Sequence, residues 1–120
     1  MILVDTSVWI DHLHRTDQQL VDALSIGEAG VHPLVVGELA MGTLRNRTHV
    51  LALLDDLPQV LEARHTEVRR LIEGHRLHGR GLGLVDAHLL ASTLVPPGCR
   101  LWSRDRRLAS VAHELGVANA

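Results

Sequence analysis

The chain begins with an apolar run that ends at an acidic residue, and this stretch most constrains the fold. Residues 2–4 are apolar without alternation, which is typical of a strand covered on both faces in a parallel sheet. Asp5 follows at once, and Thr6 or Ser7 can cap a helix after it. Asp5 is therefore predicted at the carboxyl end of a strand. In open α/β sheets, ligands and chemistry collect at that edge.

Strand-like and helix-like segments alternate along the rest of the chain. Further strands are indicated at residues 31–33, 60–63 and 99–102, with a weaker signal at 117–118. Apolar residues at helical spacing separate them, including a helix that opens at Thr66 and turns Leu77 inward. This alternation predicts right-handed βαβ crossovers and an α/β fold, with a central parallel β-sheet between helices on both faces.

Composition limits the chain to a small set of protein classes. A length of 120 residues predicts one domain spanning 1–120, and 46% hydrophobic with 22% charged residues is ordinary for a globular protein. Cys99 is the only cysteine, so no intrachain disulfide is expected. No apolar stretch approaches the length of a membrane span. The sequence therefore predicts a cytoplasmic, soluble protein with no membrane association.

The basic residues exclude several kinds of chemistry. All 12 of them are arginine, so mechanisms that need lysine are ruled out: a P-loop, a Schiff base and a receiver domain. The net charge of −2 argues against nucleic-acid binding through bulk positive charge. The nine histidines lack the spacing typical of zinc ligands.

Four acidic residues are predicted to meet at one edge of the sheet. Asp5 and Asp105 follow strands, while Glu38 and Asp86 lie near the starts of helices that begin at the same edge. An acid near a helix N-terminus is also favoured by the helix dipole alone, which is the plainer explanation of Asp86. However, Asp86 interrupts the apolar segment 84–91, where an unpaired carboxylate would be unfavourable.

A cluster of carboxylates needs protons or cations to offset its self-repulsion. Mg²⁺ and Mn²⁺ are the cations expected here, because hard divalent ions bind a few carboxylates together with water and substrate phosphates. Two such ions about 4 Å apart can activate a water and stabilise the leaving oxygen in phosphodiester cleavage. The pattern therefore favours metal-dependent hydrolysis.

Four segments in order resemble the motifs of PIN-domain ribonucleases, specifically the VapC toxins of bacterial toxin–antitoxin pairs. These segments are DTSVWID at 5–11, VGEL at 36–39, GLGLVDAHLLA at 81–91 and LWSRD at 101–105. The resemblance covers nearly the whole chain. It implies a PIN-like three-layer α/β/α fold, Mg²⁺-dependent endonucleolytic cleavage of RNA, a VapB-type antitoxin that blocks the site, and a homodimer.

The resemblance also assigns roles by position. Asp5, Glu38, Asp86 and Asp105 match the catalytic, metal-binding acids, with Asp105 acting either directly or through water. Thr6 and Ser103 match hydroxyl positions beside these acids, where a side chain can orient a carboxylate or a water on the metal. Three arginines close in sequence to the acids are candidates for binding RNA phosphates: Arg80, Arg104 and Arg106.

Two alternatives stay open on the sequence. One is a PIN-like nuclease that acts in RNA or DNA processing without an antitoxin. The other is a non-catalytic binding module that retains the fold, although four intact acids argue against it. Haloacid-type phosphatases also place an acid after the first strand, but Ser7 stands where they need a second acid.

Overall fold

The computed structural model describes residues 1–119, and its centre is a three-stranded parallel sheet. The strands, in the spatial order β2-β1-β3, are β1 (Ile2–Val4), β2 (Ala29–Gly30) and β3 (Arg100–Trp102). In the central strand β1, Leu3 pairs with Gly30 on one side and with Leu101 on the other. The strand predicted from the first apolar run is therefore the middle of the sheet.

Helices cover the sheet on both sides. The structure has seven in residues 1–119: α1 (Thr6–His14), α2 (Gln18–Ser25), α3 (Pro33–Met41), α4 (Arg47–Asp55), α5 (His65–Gly74), α6 (Leu84–Leu94) and α7 (Arg106–Glu114). Parallel strands need such crossover connections. None of these helices is long and apolar enough to cross a membrane. The predicted α/β class with a central parallel sheet between helical layers is confirmed.

The sheet is narrower than the sequence indicated at the β2 edge. The strand predicted at 60–63 is wrong: only a single parallel bridge joins Val31 to Gln59. The strand predicted at 31–33 instead lies at Ala29–Gly30, because Pro33 already begins α3. Proline lacks an N–H group and suits the first turn of a helix, so the chain leaves the sheet before a longer ladder can form.

The other edge of the sheet also carries one bridge. Leu101 and Ala118 pair in parallel where a weak final strand was predicted. Leu101 donates its N–H to the Val117 carbonyl at 2.7 Å and accepts from the Asn119 N–H at 2.9 Å. These two bonds fasten the segment after α7 to β3.

Helix α6 is the most deeply embedded of the helices in the described residues. Six consecutive or near-consecutive side chains in it are buried: Ala87, Leu89, Leu90, Ala91, Ser92 and Thr93. It packs against β3 on one side and against α5 on another. A helix buried on most of its surface has little freedom to shift, so whatever stands at its start is held firmly.

Helix α5 ends three residues earlier than its apolar pattern suggested. It stops at Gly74, and Arg76 adopts a left-handed backbone conformation with φ of 53°. The Leu77 N–H then donates to the Ile72 carbonyl at 3.0 Å, and the Arg76 N–H donates to Glu73 at 3.4 Å. This is the bond pattern of a Schellman ending. Leu77 is buried as predicted, but the turn rather than the helix carries it inward.

The Arg76 conformation gives a first prediction. A left-handed residue with a side chain costs about 1–2 kcal/mol, and glycine avoids that cost while losing about 0.5–1 kcal/mol of entropy on folding. Arg76→Gly should therefore raise the free energy of unfolding by about 0.5–1 kcal/mol in urea titrations. Arg70→Gly, within the exposed face of α5, is the control and should lower it by about 1 kcal/mol. Equal losses in both variants would contradict this reading of the helix end.

Candidate active site

Asp5 lies at the carboxyl end of β1 and is almost completely buried, with 6% of its surface exposed. Its Oδ2 accepts hydrogen bonds from the Ser7 and Ser103 hydroxyls, both at 2.7 Å. Its backbone N–H donates to the Trp102 carbonyl at 2.9 Å. These bonds satisfy one carboxylate oxygen and join β1 to the end of β3. Within residues 1–119, no hydrogen bond reaches Oδ1, which is left to accept another donor or a cation.

Ser7 supplies a further hydroxyl beside Asp5, which the sequence did not single out as a site residue. Besides donating to Asp5, its Oγ accepts the Arg104 N–H at 3.0 Å and lies 3.4 Å from the Ser103 Oγ. The spacing in the sequence could have suggested this contact, because a hydroxyl two residues after an acid can donate a hydrogen bond to that acid. Its second role, holding the chain after β3, depends on a contact between distant segments and is not visible in the sequence.

Glu38 reaches the site from the second turn of α3. Its Oε1 accepts a hydrogen bond from the Thr6 hydroxyl at 2.7 Å. Thr6 directly follows Asp5, so this bond connects the exposed Glu38 side chain to the segment that carries the buried acid. Thr6 orients a carboxylate, which is one of the two roles expected at its position.

Asp86 stands in the first turn of α6, and its Oδ2 accepts the Gly83 N–H at 2.9 Å. Burial raises the pKa of Asp86; the Gly83 hydrogen bond lowers it, and the negative charges of three further acids raise it again: Asp5, Asp105 and Glu38. The four predicted acids are therefore close enough to interact through their charges. Burial is the main cause of this raised pKa, and the like charges of the other acids add to it.

Asp105 begins the helix that follows β3. Its Oδ1 accepts the N–H groups of Arg107 and Leu108 at 3.0 and 3.1 Å, so it caps α7. Its own N–H donates to the Ser103 hydroxyl at 3.0 Å, and that hydroxyl donates to Asp5. A helix cap would fix this carboxylate whether or not it takes part in chemistry.

The donor set of the cleft suits a hard divalent cation. The four acids offer carboxylate oxygens, the type that Mg²⁺ and Mn²⁺ prefer, and each of these side chains is held by a hydrogen bond. In the described residues, no three acidic, histidine or cysteine side chains converge closely enough to hold an ion alone. An ion bound by these acids would therefore need water or substrate oxygens as further ligands.

Two of the three arginines predicted to bind RNA are engaged in ion pairs. Arg80 forms a double hydrogen bond with Glu114, at 2.7 and 2.9 Å. Arg104 bridges Asp11, at 2.8 Å, and Asp17. Arg106 is exposed at the start of α7. Of the three, Arg106 alone makes no ion pair in residues 1–119.

Gly81 shows how the loop before Asp86 is packed. It has a φ of +79°, and a Cβ atom added to it would lie 2.6 Å from the Arg107 guanidinium. The backbone angle favours glycine here, whereas the flexible Arg107 side chain could move aside for a Cβ atom.

Comparisons with known proteins agree with this architecture. The family described as "PIN domain" matches residues 2–114. The chain is 54% identical over 120 residues to "Ribonuclease VapC32" of Mycobacterium tuberculosis, in strain CDC 1551 / Oshkosh and in strain ATCC 25618 / H37Rv. These alignments cover 100% of this chain and 97% of each relative. The chain therefore belongs to the PIN-domain family, and within that family it is a VapC-type protein.

Proposed function

We propose that this protein is a Mg²⁺-dependent endoribonuclease and the toxin of a VapBC toxin–antitoxin pair. The observation that carries the proposal is the buried Asp5 carboxylate, which is held at one oxygen by Ser7 and Ser103 and whose charge, with those of Asp105 and Glu38, acts on Asp86. The 54% identity to a protein named as a ribonuclease supports RNA as the substrate.

The four acids are the groups that would hold the metal: Asp5, Glu38, Asp86 and Asp105. Mg²⁺ is the proposed ion, and Mn²⁺ can replace it. When bound, the ion supplies positive charge at the scissile phosphate and promotes ionisation of the attacking water. Lysine is absent from the chain, so the cation provides charge that no lysine can provide.

The remaining residues of the cleft position the acids. Ser7 and Ser103 fix the plane of the Asp5 carboxylate, and Thr6 fixes Glu38. The Gly83 N–H fixes Asp86 at the start of an embedded helix. Holding the reactive groups in place before substrate arrives lowers the entropy lost in reaching the transition state.

Contact with RNA phosphates is proposed for Arg106, which is exposed beside Asp105. Arg80 and Arg104 belong to the same proposal, but each must first give up an acidic partner, Glu114 for Arg80 and Asp11 or Asp17 for Arg104. Exchange of a surface ion pair for a phosphate is feasible, because exposed ion pairs contribute only about 0–1 kcal/mol.

The proposed partner is a VapB-type antitoxin. Two adjoining grooves run along α1 and share Leu13. One, of about 260 Å³, is almost entirely apolar and is lined by Trp9, His12, Leu13, Leu24, Val50, Leu53, Leu54 and Leu57. The other, of about 520 Å³, continues from Leu13 to Glu38 and Arg45. An apolar antitoxin helix fits the first groove, and a basic tail following the second would bring its charge to the acids. A homodimer also belongs to the proposal.

The metal site predicts the effect of removing single acids. Asp5→Asn and Asp86→Asn should lower the rate of RNA cleavage by about 100-fold or more, because loss of metal charge stabilisation removes several kcal/mol. Cleavage by the unaltered protein should need Mg²⁺ or Mn²⁺ and stop in chelator. Asp55→Asn, at the exposed end of α4, is the matched control and should cleave normally. Full activity in a folded Asp5 or Asp86 variant would refute the assignment.

The raised pKa of Asp86 predicts how stability depends on pH and metal. A carboxyl group whose pKa is higher in the folded than in the unfolded state lowers the free energy of unfolding at a pH above its folded-state pKa. This destabilisation fades as the pH falls through the folded-state pKa. Mg²⁺ or Mn²⁺ should therefore raise the melting temperature at neutral pH, and raise it less at mildly acidic pH.

Asp86→Asn tests the origin of that effect. It keeps an oxygen for the Gly83 N–H but removes the charge, so it should raise the metal-free melting temperature and reduce the gain on adding metal. The measurement is a thermal scan of both proteins with and without metal. Equal metal-induced gains would exclude Asp86 from the site.

The apolar groove along α1 predicts how a charge placed in it would affect antitoxin binding. Leu53 lines the groove and is half exposed, so Leu53→Glu should weaken antitoxin binding by about 10-fold or more and leave RNA cleavage unchanged. Leu61→Glu, at another exposed apolar position outside the groove, is the control. Coexpression with the adjacent small gene and copurification measure binding. A complex unaffected by Leu53→Glu would argue for a different docking surface.

A further inference from the structure

His32 is a buried histidine between β2 and α3 that no feature of the sequence singled out. Only 1% of its surface is exposed. It is the N-cap residue of α3, and its Nδ1 accepts the Leu34 N–H at 3.0 Å. Ser, Thr, Asp and Asn are the usual residues at such a position, so a histidine here needs its own explanation.

The first turn of α3 depends on this imidazole for one bond. Pro33 has no N–H to satisfy. Val35 and Val36 both donate to the His32 carbonyl, at 2.9 and 3.2 Å. The Leu34 N–H is thus the one donor of this turn that needs a side chain, and only the imidazole accepts it in the described residues. Removing the ring would leave that N–H unpaired in a partly buried position.

The cap fixes the protonation state of the ring. Nδ1 can accept only if it carries no proton, so the proton of the neutral ring resides on Nε2. Nε2 is buried and makes no hydrogen bond within residues 1–119. A second proton would turn Nδ1 into a donor facing the Leu34 N–H, and would place a positive charge at the positive end of a helix dipole. The capped structure therefore requires neutral His32.

The ring also fills space that a small cap would leave open. Its centroid lies 6.4 Å from that of His88 in an edge-on arrangement, and His88 stacks on His65 at 6.0 Å. A serine could cap the helix but not occupy this volume, whereas a leucine could occupy the volume but not cap. Histidine does both.

Helix α3 connects this cap to the acidic cleft. Glu38 lies on the same helix and is exposed, so two things set its position: where α3 begins and the 2.7 Å bond from Thr6. A displacement of about 1 Å at a catalytic group can reduce a rate about 100-fold.

We propose that His32 is a positioning residue for RNA cleavage: by capping α3 through Nδ1, it holds Glu38 in reach of Thr6 and the other acids. This inference rests on the proposed function, because it assumes that Glu38 takes part in cleavage.

Two charged or titratable groups act on the ring, and a third lies beyond one of them. Burial lowers the pKa of His32. The negative charge of Glu62 raises this pKa, and His88 lowers it further. His65 stacks on the far side of His88. The net direction keeps His32 neutral, and a histidine whose pKa is lowered on folding loses stability as pH falls below its unfolded value of about 6.5.

Two substitutions separate capping from packing. His32→Asn retains an acceptor for the Leu34 N–H and should keep RNA cleavage within about threefold of the unaltered protein. His32→Leu fills the space without capping and should lower kcat about 10-fold with little change in KM, as loss of a group that orients a ligand does. His65→Leu, at the exposed end of the histidine cluster, is the control and should cleave normally. A purely structural role predicts the reverse order, with the leucine variant active and the asparagine variant impaired, and would overturn the proposal.

A double-mutant cycle tests the route through Glu38. If His32 acts by placing Glu38, then His32→Leu should have no further effect on kcat in a Glu38→Gln background. Independent, multiplying losses would overturn the proposal. If the unaltered protein does not cleave RNA, the proposed function fails and the inference with it. If it cleaves RNA and Glu38→Gln does so equally well, the nuclease function stands, but the role of Glu38 and this inference are rejected. Loss in Glu38→Gln without loss in His32→Leu rejects the role of His32 alone.

A pH series tests whether His32 is neutral in the folded protein. Between pH 7 and pH 5 the melting temperature of the unaltered protein should fall relative to that of His32→Asn, because the asparagine does not titrate while the acidic cluster is common to both. Parallel melting curves across this range would contradict a neutral, capping His32.

Discussion

The buried carboxylate of Asp5 is the group on which the rest of the site depends. A charged group with 6% exposure is unfavourable unless hydrogen bonds replace its water. Ser7 and Ser103 replace that water at one oxygen, from opposite ends of the sequence. The same serines also organise the turn after β3, since Ser7 accepts from Arg104 and Ser103 accepts from Asp105. Satisfying one acid thus shapes the segment that carries another.

Helix N-termini account for most of the remaining arrangement. Asp86 accepts a hydrogen bond from the N–H of Gly83, the residue just before α6, and Asp105 caps α7. Free N–H groups and the helix dipole both favour negative charge there, which partly offsets the repulsion among the acids. Glu38 has no such support, since it lies in the second turn of α3 and depends on Thr6. It is the acid whose position is set least directly.

The features that could be predicted from the sequence are those that depend on the local pattern of apolar and polar residues. The strand before Asp5, the α/β class and the acids at strand ends and helix starts could all be read from apolar runs and their interruptions. The strand at 60–63 could not be judged, because its partner is cut short by Pro33. The partners of Arg80 and Arg104 were likewise hidden, since Glu114 and Asp17 lie 34 and 87 residues away in the sequence. The cap formed by His32 was overlooked because histidine is an uncommon residue for that task.

The hydrogen bond between Ser103 and Asp5 joins residues 98 positions apart, and β3 is the neighbour that completes the central strand. During synthesis, β1 and α1 leave the ribosome long before β3 exists. Contacts so distant in sequence form late, after the intervening chain has been ordered. The cleft can therefore be assembled only after β3 has been synthesised, so a shorter nascent chain carries its acids apart. In a ribonuclease, this order of events would protect the RNA of the cell, including the message being translated, until β3 has joined the sheet.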